Sequence, residues 1–355
     1  MFMSKRNVSA VKPTASVNQS AHGDPARVFC GVDVSAETLA VAVLTREGAP
    51  RQREFSNTAS GHRALIGWLT KGQGRARVSL EATGIYSMDL ALALDEAEGI
   101  EVAVLNPKRI HDFARTIRRS KTDKADAQVL AEFSLRMDFV AWQRPSRSAL
   151  ELRAISRHIE ALGVDRTRAH NRLQAARGSG STPRCVLDDL KRSLERLAER
   201  ILKLRRAAQA LIEADERMRE QFRLLTGMPG IAQISAVQIL GELVLLAPDL
   251  KARQWVARSG LDPVQQDSGT SVHKPARISR QGSRHLRRAL YMPALTAVRW
   301  DPHLKAFYQS LLARHKRKLQ ALMAVARKML HAIYGIFKTK TAYDGGKLFP
   351  QLKIA

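Results

Sequence analysis

Apolar residues come in short runs over roughly the first 145 positions and at helical spacing after that. The runs "VFCGVDV" (28–34) and "LAVAVL" (39–44), separated by a turn at 35–37, predict a β-hairpin with Asp33 at the end of its first strand. "GHRALIGWLTK" predicts a helix, and "RARVSLEATGIY" a buried strand ending at Glu81. "SMDLALALDEAEG" reads as a helix stopped at Gly99, and "IEVAVLNP" as a strand stopped by Pro107. "AQVLAEFSL" then reads as an amphipathic helix. Strands alternating with helices predict an α/β domain over 26–145.

Beyond Pro145 the period changes. Ile155, Ile159 and Leu162 lie at 3–4 spacing, and "GSGSTP" (178–183) interrupts the helix. Leu187, Leu190, Leu194, Leu197, Ile201, Leu204, Ala208 and Leu211 follow at spacings of 3, 4, 3, 4, 3, 4, 3. That is a heptad pattern, and it predicts an antiparallel coiled-coil hairpin over 146–215 that could also dimerise. Residues 216–340 read as helices with basic faces, followed by a tail at 341–355. Within them Pro229-Gly230-Ile231 resembles the turn of a helix-hairpin-helix, with Ala232 in place of the usual second glycine. A plain Pro-Gly helix junction is the alternative. A polar Gly/Ser loop then leads into a helix, giving an overall expectation of α/β plus all-α.

Charge changes the picture more than composition does. Hydrophobic residues are 45% and charged residues 26%, ordinary values for a water-soluble chain, but 59 Lys+Arg face 33 Asp+Glu, a net charge of +26. Such an excess repels itself unless a polyanion neutralises it, so nucleic acid is the leading partner and a membrane surface the weaker one. No window approaches the ~18 uninterrupted apolar residues of a membrane span. Cys30 and Cys185 are too few for a disulfide framework or a zinc cluster, which fits a reducing cytoplasm. Residues 1–25 lack the apolar core of a secretory signal and read as a disordered basic arm. Arg277, Arg280, Arg284, Arg287 and Arg288, with Lys108, Arg118 and Arg119, are candidate phosphate contacts, giving an affinity that falls steeply with salt.

Against that background stand Asp123 and Asp126, three residues apart and so on one helical face. The simple reading is a solvated first turn favoured by the helix dipole. Asp33 and Glu81, however, end strands, and strand C-terminal ends in an α/β sheet share one edge where sites assemble. Four carboxylates meeting there would repel strongly unless hard divalent cations joined them. Mg2+ suits oxygen ligands, with Mn2+ as its substitute. Two such ions about 4 Å apart can clamp a phosphodiester. Asp89 and Asp95 lie inside a helix and match no strand end.

This order of acids resembles a RuvC-like, RNase H-type fold. The stretches "GVDVS", "EATGIY", "NPKRIHDFARTIRRSKTDKADAQVLAEF" and "SGTSVHKPARISRQGSRHLRRALYMPA" together resemble the DEDD transposases of the insertion sequence one-ten family, from about Arg27 to Phe337. The resemblance implies that Asp33, Glu81, Asp123 and Asp126 are the metal-binding tetrad. It implies that Ser268, in "DSGTS", is the nucleophile. It also implies a structured non-coding RNA that pairs with donor and target double-stranded DNA. The family loop more often carries two glycines and a lysine after the serine. Here Gly269 is followed by Thr270 and Ser271, which leaves Ser271, and behind it Ser259, as rival nucleophiles.

The expected protein is therefore a Mg2+-dependent DNA transposase or recombinase, a homodimer or tetramer with no membrane association, in a prokaryotic cytoplasm at the nucleoid. The alternatives are a RuvC-like nuclease that hydrolyses with water, and a non-catalytic nucleic-acid-binding protein.

Overall fold

The computed structural model describes residues 28–45, 49–71, 75–82, 86–117, 122–268 and 272–349; at residues 124, 266–268 and 272–275 it describes the backbone alone. The expected basic arm, Arg118, Arg119 and Ser271 lie outside the described residues. The chain divides into two compact units, Met1–Arg144 and Pro145–Ala355.

The first unit is built on a mixed five-stranded sheet. Its strands are β1 (Val28–Val34), β2 (Thr38–Leu44), β3 (Arg51–Ser56), β4 (Ala76–Glu81) and β5 (Ile100–Leu105), in the order β3-β2-β1-β4-β5. β1, β2 and β3 pair antiparallel, while β4 and β5 run parallel to β1. The strand period of two sends alternate β1 residues to opposite faces. Cys30, Val32 and Val34 join Leu65, Leu69, Leu90 and Leu94 on one face, beneath α1 (Ala59–Thr70) and α2 (Met88–Asp95). Phe29 packs on the other face with Ala127 and Ala131 of α4 (Asp123–Arg136), which follows α3 (Pro107–Ile117).

β3 was not expected from the sequence. Its residues RQREFS are polar and mostly exposed, with only Phe55 buried, so no alternation of apolar residues marks it. Charge suits an edge strand because it discourages pairing with another chain. Arg53 and Arg51 lie over the rings of Phe55 and Trp68, at 5.0 and 5.6 Å.

Gly31 fixes how α4 sits. A Cβ there would fall inside contact distance of the Ala127 carbonyl oxygen and the Ala131 amide nitrogen, and 2.6 Å from the Leu130 Cβ. Helix backbone therefore lies directly on strand backbone, an approach that only glycine permits. Gly31→Ala should destabilise this unit by about 3 kcal/mol or more, since neither backbone can yield cheaply. The matching fall in melting temperature is roughly 10 °C, and a calorimetric shift under about 2 °C would refute the close packing.

The second unit is mainly helical. α5 (Arg147–Arg177) and α6 (Arg184–Ala214) form a hairpin, each 31 residues long. Ile159 and Leu162 cluster with Ile201, flanked by Ile155, Leu197 and Leu204. Leu152 of α5 and Ile212 of α6 enter the larger core, so the two helices run antiparallel. That core also takes residues from α7 (Glu216–Thr226), α8 (Gln233–Leu243), α9 (Ala252–Ser259), α10 (Arg284–Trp300), α11 (Pro302–Ala313) and α12 (Lys318–Thr339).

An all-α second part needs correction. β6 (Pro263–Ser268) and β7 (Val272–Ile278) pair antiparallel where a polar loop was expected. A two-stranded ribbon need not bury a face, so its residues VQQDS and VHKPARI stay polar and give no strand signal. Pro275 is tolerated because a two-stranded ribbon has only edges. The chain ends its described part with α13 (Gly345–Leu348).

Candidate active site

Three features bring the sequence-selected acids to one edge of the first unit's sheet. Val32 stands opposite Leu80 in the parallel β1–β4 pair, so Asp33 and Glu81 are the next neighbours along those strands. Asp33 shares a face with Gly31 two residues back, which is the face α4 covers. α4 runs antiparallel to both strands: its Ser134 Oγ donates to the carbonyl of Arg77 near the start of β4 at 3.4 Å, while Ala127 lies on Gly31. Its N-terminus therefore points toward the strand ends that carry Asp33 and Glu81.

The helix begins where it does because Thr122 caps it, its Oγ accepting from the Ala125 amide at 3.2 Å. Asp123 and Asp126 occupy its first turn. They sit four residues before Ala127 and Leu130, on the rows that face the sheet, so both acids continue the sheet-facing stripe past its apolar part. Asp126 is half-buried and Asp123 exposed. Carboxylate oxygens are donors of the kind hard divalent cations take, so the chemistry of these four residues suits a metal, but the side chains are not gathered into a binding set. Among the described residues, no three His, Cys, Asp or Glu side chains close together as a bound ion would require.

Of the other acids, Asp89 lies in the first turn of α2 and Asp95 at its end, 4.0 Å from Arg144. Lys108 sits in the first turn of α3, 3.9 Å from Asp112.

Comparison with known proteins bears directly on this site. A DEDD transposase family model, described as Transposase, matches residues 30–176, a span that includes all four acids. A second, for the Transposase IS116/IS110/IS902 family, matches 222–309. The chain carries both transposase domains of the IS110 family. The "Pilin gene-inverting protein" of Moraxella lacunata is 25% identical over 324 residues, covering 90% of this chain and 98% of that protein. An insertion element IS116 protein of 44.8 kDa from Streptomyces clavuligerus is 22% identical, covering 89% and 96%. The insertion element IS110 protein of 43.6 kDa from Streptomyces coelicolor is 29% identical over 159 residues, 45% of this chain and 39% of its own length. Family membership implies DNA-cleaving and rejoining activity, and its DEDD domain implies use of a divalent metal. No helix among the described residues is long and apolar enough to cross a membrane.

In this IS110-family chain the serine candidates separate. Ser268 is the last residue of β6, opposite Val272, at the tip of the β6–β7 ribbon. Ser259 is fully buried, its Oγ donating to the Val256 carbonyl at 2.7 Å and accepting from the Leu261 amide at 3.3 Å. Its hydroxyl caps the end of α9 and has no route to a substrate.

The base of the ribbon is tied down. The Ser279 amide donates to the Asp262 carbonyl at 2.8 Å, and the Arg280 amide to that of Gly260 at 3.1 Å. Arg287 Nη1 donates to the carbonyls of Ser259 and Gly282, at 2.8 and 3.0 Å. Burial, with Arg280 nearby, holds the Arg287 pKa below its ordinary value. Arg287 is thus a structural strut more than a free phosphate contact. Arg288 pairs with Glu160 at 3.1 Å, while Arg277, Arg280 and Arg284 are exposed.

Sequence reasoning missed the group that anchors the helix after the ribbon. Buried Glu242 accepts from Arg157 Nε and Nη2 at 2.7 and 3.1 Å, and from Ser283 Oγ at 2.7 Å. Burial pushes the Glu242 pKa up, but these hydrogen bonds outweigh it and the net direction is down. Ser283 also caps α10, accepting from the Leu286 amide at 3.2 Å. Arg157 and Glu242 are 85 residues apart, so no local pattern could pair them.

The Pro229–Gly230 turn has a packing explanation. Gly230 has φ +88°, and a Cβ there would lie 2.5 Å from the Pro293 carbonyl oxygen of α10. Both the left-handed backbone and the close approach require glycine, without any phosphate.

Proposed function

We propose that this chain cuts and rejoins DNA at the ends of an insertion sequence, using an RNase H-like metal site and a serine nucleophile. The observation that carries the proposal is the neighbouring placement of Asp33 and Glu81 on the α4 face, with the first-turn acids of α4 directed to the same edge. Asp33, Glu81, Asp123 and Asp126 would hold the Mg2+. When bound, the metal neutralises charge on the scissile phosphate and on the oxygens that enter and leave it. The serine at the ribbon tip, Ser268, attacks phosphorus through its Oγ and gives up its proton. A phosphoserine ester forms as the bond to a deoxyribose oxygen breaks, and that oxygen takes up a proton. Attack by another strand's hydroxyl reverses the step, so no outside energy source is needed. Arg277, Arg280 and Arg284, with Lys108, Arg118 and Arg119, contribute charge for phosphate contacts.

A relative named for pilin gene inversion favours this reading over a hydrolytic nuclease, because inversion must rejoin every strand it cuts. A structured RNA from the same element, paired with donor and target DNA, supplies the sequence choice. The hairpin of α5 and α6 serves as the coiled coil that assembles a homodimer or tetramer, and the protein works at the nucleoid.

The test is to incubate the protein with DNA spanning the element and its flanks, plus RNA transcribed from the element's non-coding end. Joined junctions should appear by sequencing with Mg2+ and vanish with EDTA. Nicked or linear products without junctions would hand the function to the water-hydrolysis reading.

A further inference from the structure

A cleft of about 850 Å3 opens in the second unit between one side of α7, the turn after α8, and the last turns of α12. Its floor is aromatic. Trp255 of α9 meets Tyr334 and Phe337 of α12 edge to face, with centroids 5.3 and 6.1 Å apart. Trp255 is 8% exposed, while Tyr334 and Phe337 are half-buried and keep part of their rings open to the cleft. The Trp255 Nε1 donor finds no hydrogen-bond partner among the described residues, and a buried donor left unpaired is costly. The rim is basic and exposed at Arg217, Arg223 and Lys338. Lys340 closes one side through an ion pair with Glu220 at 3.3 Å.

We propose that this cleft binds an unpaired nucleotide of a DNA strand, with the base against the aromatic floor and the flanking phosphates on the basic rim. The volume falls in the range of ligand pockets. Aromatic floors accept any base, since every base has a π face, and basic rims follow the backbone. Charge excludes the nearest competitor. The chain's own residues 1–27 carry four Lys/Arg against one Asp, and would be repelled by this rim. A duplex offers no free base face, so strands opened during cutting and rejoining are the occupant. The inference rests on the DNA-handling reading above, but concerns a site separate in sequence from Ser268 and from the four acids.

The experiment uses the full chain with a short thymidine oligonucleotide carrying photoreactive 5-iodouracil, and with a DNA duplex. Crosslinks should map to peptides containing Trp255, Tyr334 or Phe337. Tyr334→Leu combined with Lys338→Ala should weaken single-strand binding about tenfold, leaving duplex affinity unchanged in protein shown to be folded by its circular dichroism. Equal single-strand affinity in variant and wild type, or crosslinks confined to other segments, would overturn the cleft while leaving the DNA reading intact. Equal loss for strand and duplex would make the rim a general phosphate surface and overturn the base pocket. Tighter binding of the matching RNA, or displacement by a peptide of residues 1–27, would overturn the choice of DNA. If the wild type bound no nucleic acid, the proposal and the reading beneath it would fall together.

Discussion

Asp33→Asn and Glu81→Gln should each lower strand joining at least about a thousandfold, near 4 kcal/mol of transition-state stabilisation. The substitutions keep size and shape but remove the charge that a hard cation needs. Asp33 and Glu81 stand beside each other on adjacent strands, so losing either strips one side of the same position. Binding of DNA should stay within about twofold, because removing an anion next to a polyanion costs nothing in affinity. Asp123→Asn and Asp126→Asn should follow the same pattern. Joining would be read from junction counts and binding from a gel shift on the same preparation. Joining within tenfold of wild type for either strand-end variant would remove these acids from the chemistry.

Ser268→Ala should eliminate the covalent protein–DNA adduct and with it all strand joining. A serine hydroxyl is a weak nucleophile at neutral pH and needs activation, so no other residue substitutes for it unless it reaches the same phosphate. Buried Ser259 is committed to hydrogen bonds at the end of α9 and cannot. Ser271 is the live rival, and Ser271→Ala should leave the adduct in place. Denaturing electrophoresis of labelled DNA distinguishes the two. An adduct that persists in Ser268→Ala and disappears in Ser271→Ala would move the nucleophile by three residues. Cleaved DNA with no adduct in the wild type would instead assign the attack to water.

The parts of the molecule that could be read from the sequence are those whose physics is local. Asp33 and Glu81 stood out because an acid closing an apolar run is a change of environment along one strand. Thr122 and the acids after it carry a helix-start signal in their order alone. What the sequence could not show was which face of the sheet Asp33 occupies. That depends on α4 seating on Gly31, about a hundred residues from its partners. The β6–β7 ribbon was hidden because its residues PVQQDS and VHKPARI lack the apolar alternation that reveals strands. Arg287 looked like its neighbours in a basic series, yet carbonyls contributed by Ser259 and Gly282 claim its guanidinium. Long-range partners of this kind leave no trace in spacing.

The division at Arg144 and Pro145 governs where the polypeptide can be cut. The DEDD family match runs to residue 176 and so includes nearly all of α5, but the residues that cover α5 come later in the chain. A fragment trimmed to that match would carry Ala149, Leu152, Ile159, Leu162 and Leu173 on a helix stripped of α6 and α8, an apolar stripe facing water and prone to aggregate. Ending the fragment at Arg144 keeps the sheet, α4 and all four acids, and leaves α5 whole on the other side. Recognisable ancestry and mechanical independence thus draw different borders across the same chain.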